Sequence, residues 1–65
     1  MKVKYDNEND VLYIKLSNNA VAESDSEKQG IILDYDSNNQ IVGIEVLNAS
    51  AKMEKPMKVE YEVVG

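Results

Sequence analysis

Two carboxylates spaced one residue apart, Asp34 and Asp36, are the first residues of this chain that could do chemistry. Read as strand positions they project to the same face, and acid–base work needs only two carboxyls with separated pKa values. The second constellation is Asp6-Asn7-Glu8-Asn9-Asp10, whose alternate oxygens resemble the opening of a calcium loop, with Asp36-Ser37-Asn38-Asn39-Gln40 as a weaker echo. A calcium loop of that type requires Gly at its sixth position and a bidentate Glu at its twelfth. The chain has Val11 and Ser17 there, or Ile41 and Leu47 in the echo. Turn chemistry accounts for the same letters, because Asn and Asp tolerate left-handed backbone and bond their own main chain. His, Cys and Arg are absent, so Ser–His and Cys–His nucleophile pairs, soft-metal sites and bidentate phosphate clamps cannot be built. The reading assigns no catalytic, cofactor-binding or metal residues and expects no cofactor. A small carboxylate- or metal-dependent enzyme is the alternative.

The elements that would position these groups follow from composition and periodicity. Sixty-five residues make one domain, with 43% hydrophobic positions, thirteen of them Val or Ile, a balance that favours strands. An internal repeat at an offset of 30 aligns residues 5–16 with residues 35–46, with identities at Tyr5 and Tyr35, Asp6 and Asp36, Asn9 and Asn39, and Ile14 and Ile44. Each copy is an alternating run, a polar Asn-rich stretch and a second alternating run, the pattern of a β-hairpin. The period of two puts Val3, Tyr5, Leu12, Ile14 and Leu16 on one face, with Ile31, Leu33, Tyr35, Val42, Ile44 and Val46 in the equivalent places. The two apolar sides are expected to point the same way and to close over one another.

The opposite face would carry Lys2, Lys4, Lys15, Asp34 and Glu45, with Lys15 and Glu45 able to form a cross-strand pair. Val11, Tyr13, Ile32 and Ile41 interrupt that polar face and mark it as a partial contact surface. Gly43 takes the place of Tyr13 in the other copy, which signals a bulge, a close approach of another backbone, or packing economy.

Residues 17–30 read as a polar loop with a short edge strand near Ala20 to Ser24, and Gly30 supplies a permissive turn position. Asn48 is a candidate N-cap for a helix of about two turns over 48–55, ended by Pro56. Residues 57–63 alternate again and resemble the first strand, so they predict a strand in the same sheet or on a second copy.

Taken together, Tyr5-Asp6, Val11 to Leu16, Val21 to Ser24, Gly30 to Asp36 and Ile41 to Ser50 resemble, in order and spacing, the small prokaryotic family called domain of unknown function 2283. The resemblance covers residues 1 to about 53. It implies a compact β-rich unit with a short helix and no established reaction or cofactor, and it admits an antitoxin role as one candidate.

The reading is therefore a mainly β, β-rich α+β domain over 1–65, with two antiparallel hairpins, a short helix near 48–55 and a strand at 57–63. Twelve acidic residues against seven lysines give a net charge of −5, which disfavours nucleic acid and favours a basic protein partner or a soluble surface. No stretch has membrane-spanning length, and the lack of cysteine points to a reducing cytoplasm. A core this small predicts a homodimer. The candidate interaction surface comprises Tyr13, Ile32, Ile41, Gly43, Glu23, Asp25, Val59 and Tyr61, the acidic pair lying in a loop from Glu23 to Glu27. The leading function is a non-enzymatic protein-interaction or self-assembly module.

Overall fold

Alternating β-branched runs become strands because their side chains fit a pleated surface and their backbone groups need partners. The computed structural model describes residues 1–55 and 57–65. Five strands form, β1 (Lys2–Asp6), β2 (Val11–Lys15), β3 (Glu23–Lys28), β4 (Ile31–Tyr35) and β5 (Ile41–Leu47), followed by one helix, α1 (Ala49–Lys52). The predicted hairpins are β1–β2 and β4–β5, both antiparallel. They do not close over one another. Instead β2 pairs with β5, giving a single five-stranded antiparallel sheet in the order β1-β2-β5-β4-β3. Backbone groups on the inner edges of both hairpins satisfy each other in this way, which stacking the hairpins would leave undone.

The expected face assignment survives the change of topology. Register aligns Val3, Ile14, Ile44 and Leu33 in one row across the sheet, and Tyr5, Leu12, Val46 and Ile31 in the next. At β3 each row ends in a charged residue, Asp25 or Lys28. Among the described residues, the buried apolar side chains are only Leu12, Val42 and Ala49, and no large side chain is fully buried. The rest of the apolar face is half-exposed, as expected of a sheet with nothing laid across most of one side.

Both Asx-rich stretches are turns built on one carboxylate each. Asp6 Oδ1 accepts the N–H groups of Glu8 and Asn9, at 3.0 and 3.2 Å. The repeat-equivalent Asp36 accepts those of Asn38 and Gln40, both at 2.9 Å. Asp10 and Asn39 take positive φ, 54° and 62°, which short polar side chains tolerate.

Five further expectations are corrected. The acidic stretch Glu23 to Glu27 is not a loop and the edge strand is not at Ala20 to Ser24; the strand is Glu23–Lys28, laddered to β4 with an irregular register between Asp25 and Lys28. Its residues have low β propensity and no alternation, so the partner strand decides its place. The helix is one turn rather than two, and Asn48 is not its side-chain cap: Asn48 is left-handed at φ 51° and makes no capping bond. Asp10 performs that role from the first hairpin turn, accepting Ser50 N–H at 2.9 Å and Ser50 Oγ–H at 2.7 Å, while its carbonyl accepts Ala49 N–H at 3.0 Å. Residues 57–63 form no strand, since alternation chooses a face but a strand exists only where its backbone groups take up ladder partners. Pro56, the expected helix stop, lies outside the described residues.

Tyr5 Oη donates to the same Asp10 carboxylate at 2.6 Å, so one side chain joins β1, the turn and α1. Asp10→Ala is expected to lower the midpoint of thermal unfolding by on the order of 5 °C. The loss should be larger than that of Asn48→Ala, as read by circular dichroism.

Candidate functional site

The polar face of the sheet has its own lattice, set by the same register. Lys4, Tyr13, Glu45 and Ile32 form one row, and Lys2, Lys15, Gly43, Asp34 and Ser24 the next. At its centre Asp34 is 2% exposed and accepts a 2.6 Å hydrogen bond from Ser24 Oγ. The Tyr13 hydroxyl reaches over Gly43 toward Asp34, Glu45 is the diagonal neighbour of Asp34 across β4 and β5, and both groups feel its charge.

Gly43 is what allows this convergence. A Cβ at that position would stand 2.6 Å from Tyr13 Oη and 3.0 Å from Asp34 Oδ2. The glycine therefore serves a close side-chain approach, that of the residue in its own place in the other repeat copy. A bulge lies beside it: Asp34 opposes Gly43, yet Tyr35 opposes Ile41, leaving one extra residue on β5. Ile41 accordingly lines up with Tyr35, from the apolar face, rather than with the polar row that simple alternation predicts.

Burial pushes the Glu45 carboxyl above its usual value near 4.5, with the hydrogen bond and negative charge of Asp34 acting in the same direction. Burial also raises Tyr13, again with Asp34 contributing. Two carboxyls this close disfavour double ionisation, so Glu45 retains its proton to higher pH. The three turn carboxylates move the other way from 3.8: Asp6 through the Asn9 side chain, Asp10 through the Tyr5 hydroxyl and Asp36 through the Gln40 N–H.

The expected Asp34–Asp36 pair is not assembled. Asp36 lies beyond the end of β4, and the two turn N–H groups together with Asn19 Nδ2, at 3.1 Å, occupy its oxygens. The Lys15–Glu45 pair is also not formed, because register places Lys15 opposite Gly43 and Glu45 opposite Tyr13; the ion pair seen among the described residues is Lys58–Glu60, at 3.0 Å. Of the candidate surface residues, Tyr13, Ile32 and Gly43 gather around Glu45 and Asp34. Ile41 is 45% exposed at the bulge, and Glu23 and Asp25 are exposed on the outer strand β3. Val59 and Tyr61, 61% and 78% exposed, stand apart in the carboxyl-terminal segment. Sequence reasoning missed Ser24 and the joining of Glu45 to Asp34. The available signal was the replacement of a tyrosine by a glycine between the repeat copies, which leaves room for the other copy's ring.

Two shallow clefts flank Tyr13. One, of about 350 Å³, is lined by Lys2, Lys4, Lys15 and residues 17–21; the other, of about 410 Å³, by Lys4, Asp6, Asn9, Val11 and Glu45. The cationic rim of the first is made partly of Lys2 and Lys15, which face each other directly across β1 and β2, an arrangement unfavourable for like charges.

The chain matches the family described as Protein of unknown function (DUF2283) over residues 2–50. It belongs to that family. The match spans all five strands and the start of α1, so the sheet, the Asp6, Asp10 and Asp36 turns and the Tyr13–Asp34–Glu45 cluster all lie inside the family region. Residues 57–65 lie outside it. The uncharacterized protein MJ0789 of Methanocaldococcus jannaschii is 40% identical over 50 residues, 77% of this chain and 42% of the relative's length. The chain thus spans less than half of that relative. No solved structure matches.

Gly43→Ala is expected to cost about 1–3 kcal/mol by overpacking. In a double-mutant cycle read by urea unfolding, Tyr13→Ala should recover part of that loss, because it removes the ring the new methyl meets. The pH response separates the two carboxyl classes. Glu45 favours the fold when protonated, so its contribution is fully present below pH 4.5 and is lost as pH rises through its raised value. Asp6, Asp10 and Asp36 contribute above pH 3.8 and lose that contribution as pH falls through their lowered values. Glu45→Gln should flatten the decline above pH 4.5 and leave the acid limb unchanged, as measured by denaturant midpoints against pH.

Proposed function

We propose that this domain is a non-enzymatic self-assembly and protein-interaction module in which a second copy covers the open apolar face of the sheet. The observation that carries the reading is surface area. The chain exposes 5249 Å², whereas a compact monomer of this mass exposes about 4,200 Å². The difference, roughly 1,000 Å², is of the size each partner buries in a stable dimer, about 800 Å².

The sheet edges suit ordinary strand addition less well than the face suits packing. On β3 the outer edge carries Glu23, Asp25, Glu27 and Lys28 with an irregular register, and on β1 it carries Lys2 and Lys4, the devices that discourage indiscriminate edge pairing. Face-to-face packing of two such sheets would form a sandwich about 10 Å deep from the inward side chains of both copies. The acidic balance extends the same reading to a basic protein partner, an antitoxin-like role, and the cysteine-free composition suits a cytoplasmic setting.

A carboxylate-dependent reaction is the second reading, favoured by the raised Glu45 beside Asp34. Asp34 is buried and bonded to Ser24, whereas Glu45 lines the second cleft and is the group open to a substrate. A turnover of phosphate or acyl esters that disappears in Glu45→Gln would favour this reading over the first.

Sedimentation at micromolar concentration should give a dimer. Leu33→Lys, which sets a charge in the middle of the apolar face, should give a monomer with an unchanged far-ultraviolet spectrum. A monomeric parent chain would remove the proposal.

A further inference from the structure

Among the described residues the outer edge of β1 is unpaired, since β1 ends the sheet. Its side chains divide cleanly: Lys2, Lys4 and Asp6 belong to the polar face, Val3 and Tyr5 to the apolar one. The carboxyl-terminal segment has the complementary division, with Lys58, Glu60 and Glu62 alternating with Val59, Tyr61 and Val63. Antiparallel strands conserve the sum of paired residue numbers, and one register satisfies every position at once. With Glu60 opposite Lys4, Glu62 falls opposite Lys2 and Lys58 opposite Asp6, while Val59 meets Tyr5 and Tyr61 meets Val3. Three opposite-charge pairs and two apolar pairs result, each of a kind that stabilises neighbouring strands. A shift by one residue would set glutamates against Val3 and Tyr5 on the apolar side, so the pattern selects its own register.

We propose that residues 58–62 of a second copy add to β1 as a sixth, antiparallel strand in this register. In the single chain the segment stands off the sheet: Val59, Tyr61 and Val63 are 61–78% exposed, and Lys58 spends its charge on Glu60 within the segment. These exposed residues contribute to the excess surface from which self-association was argued, and the inference rests on that reading. Exchange of both segments about a two-fold axis would make the contact the same on each copy. The added strand also answers the unfavourable Lys2–Lys15 pairing, because Glu62 brings a negative charge to Lys2. The lysines on this edge thus discriminate, opposing indiscriminate strands and accepting an acidic one.

The chain has no cysteine, which makes the register directly readable. Lys4→Cys and Glu60→Cys chains, purified separately and mixed under mild oxidation, should yield the mixed disulfide dimer in preference to either like dimer, since opposed strand residues have Cα atoms about 4.5–5.5 Å apart. Lys2→Cys mixed with Glu62→Cys should behave in the same way. Reversing Glu60 and Glu62 to lysine should weaken the dimer about tenfold, and reversing Lys2 and Lys4 to glutamate in the same chain should restore it. A chain that sediments as a dimer but gives no preferred mixed disulfide would overturn the strand exchange and leave the face-packed dimer standing. An in-chain disulfide in dilute monomeric Lys4→Cys/Glu60→Cys would likewise overturn the choice of a second copy. A parent chain that sediments as a monomer would remove the underlying self-association itself.

Discussion

The pairing of β2 with β5 determines the character of the whole molecule, because two hairpins with one apolar side each can hide those sides only by stacking, and these hairpins join by their edges instead. Edge joining satisfies the inner backbone groups and costs nothing in strand geometry, yet it spreads the apolar residues over one continuous face. Of the apolar residues on β2 and β5, the two strands of the seam, Leu12 and Val42 reach burial, while Ile14, Ile44 and Val46 stay half-exposed. Open surface, marginal core and fenced edges all follow from that seam.

Around the sheet, carboxylates do the structural work that a larger core would do elsewhere. Asp6 and Asp36 organise equivalent turns, and Asp10 ties the first turn to the helix and to Tyr5. Each accepts several donors, and charge-assisted bonds of this kind are stronger than neutral ones. The repeat is therefore conserved in physics where the turn is shared and diverges where only one copy meets α1: Asp10 has Gln40 as its counterpart. The acidic composition, which at first suggests only solubility or a basic partner, thus includes three carboxylates committed to the chain's own backbone.

The polar face concentrates the remaining tension. A buried aspartate, a glutamate with raised pKa and a tyrosine share a small space that exists because Gly43 has no side chain. Beside them three lysines stand close together on β1 and β2. The thin sheet thus packs polar groups on one side and leaves apolar groups open on the other.

Local sequence determined β1, β2, β4 and β5 and, apart from Ile41 at the bulge, their sidedness, because alternation is a property of neighbouring residues and a pleated strand follows it. It determined the two turns as well, since Asp6, Asn9, Asp36 and Asn39 act within a few residues of themselves. Family membership was legible in the order and spacing of Tyr5-Asp6, Gly30 to Asp36 and Ile41 to Ser50. What only the tertiary structure decided depends on contacts between residues far apart in the chain. These are the edge-to-edge joining of the hairpins, the capping of α1 by Asp10 across 40 residues, the strand at Glu23–Lys28 and the union of Glu45 with Asp34. None of these leaves a periodic trace, because a hydrogen-bond partner or a ladder neighbour is chosen by position in space and not by the residues on either side.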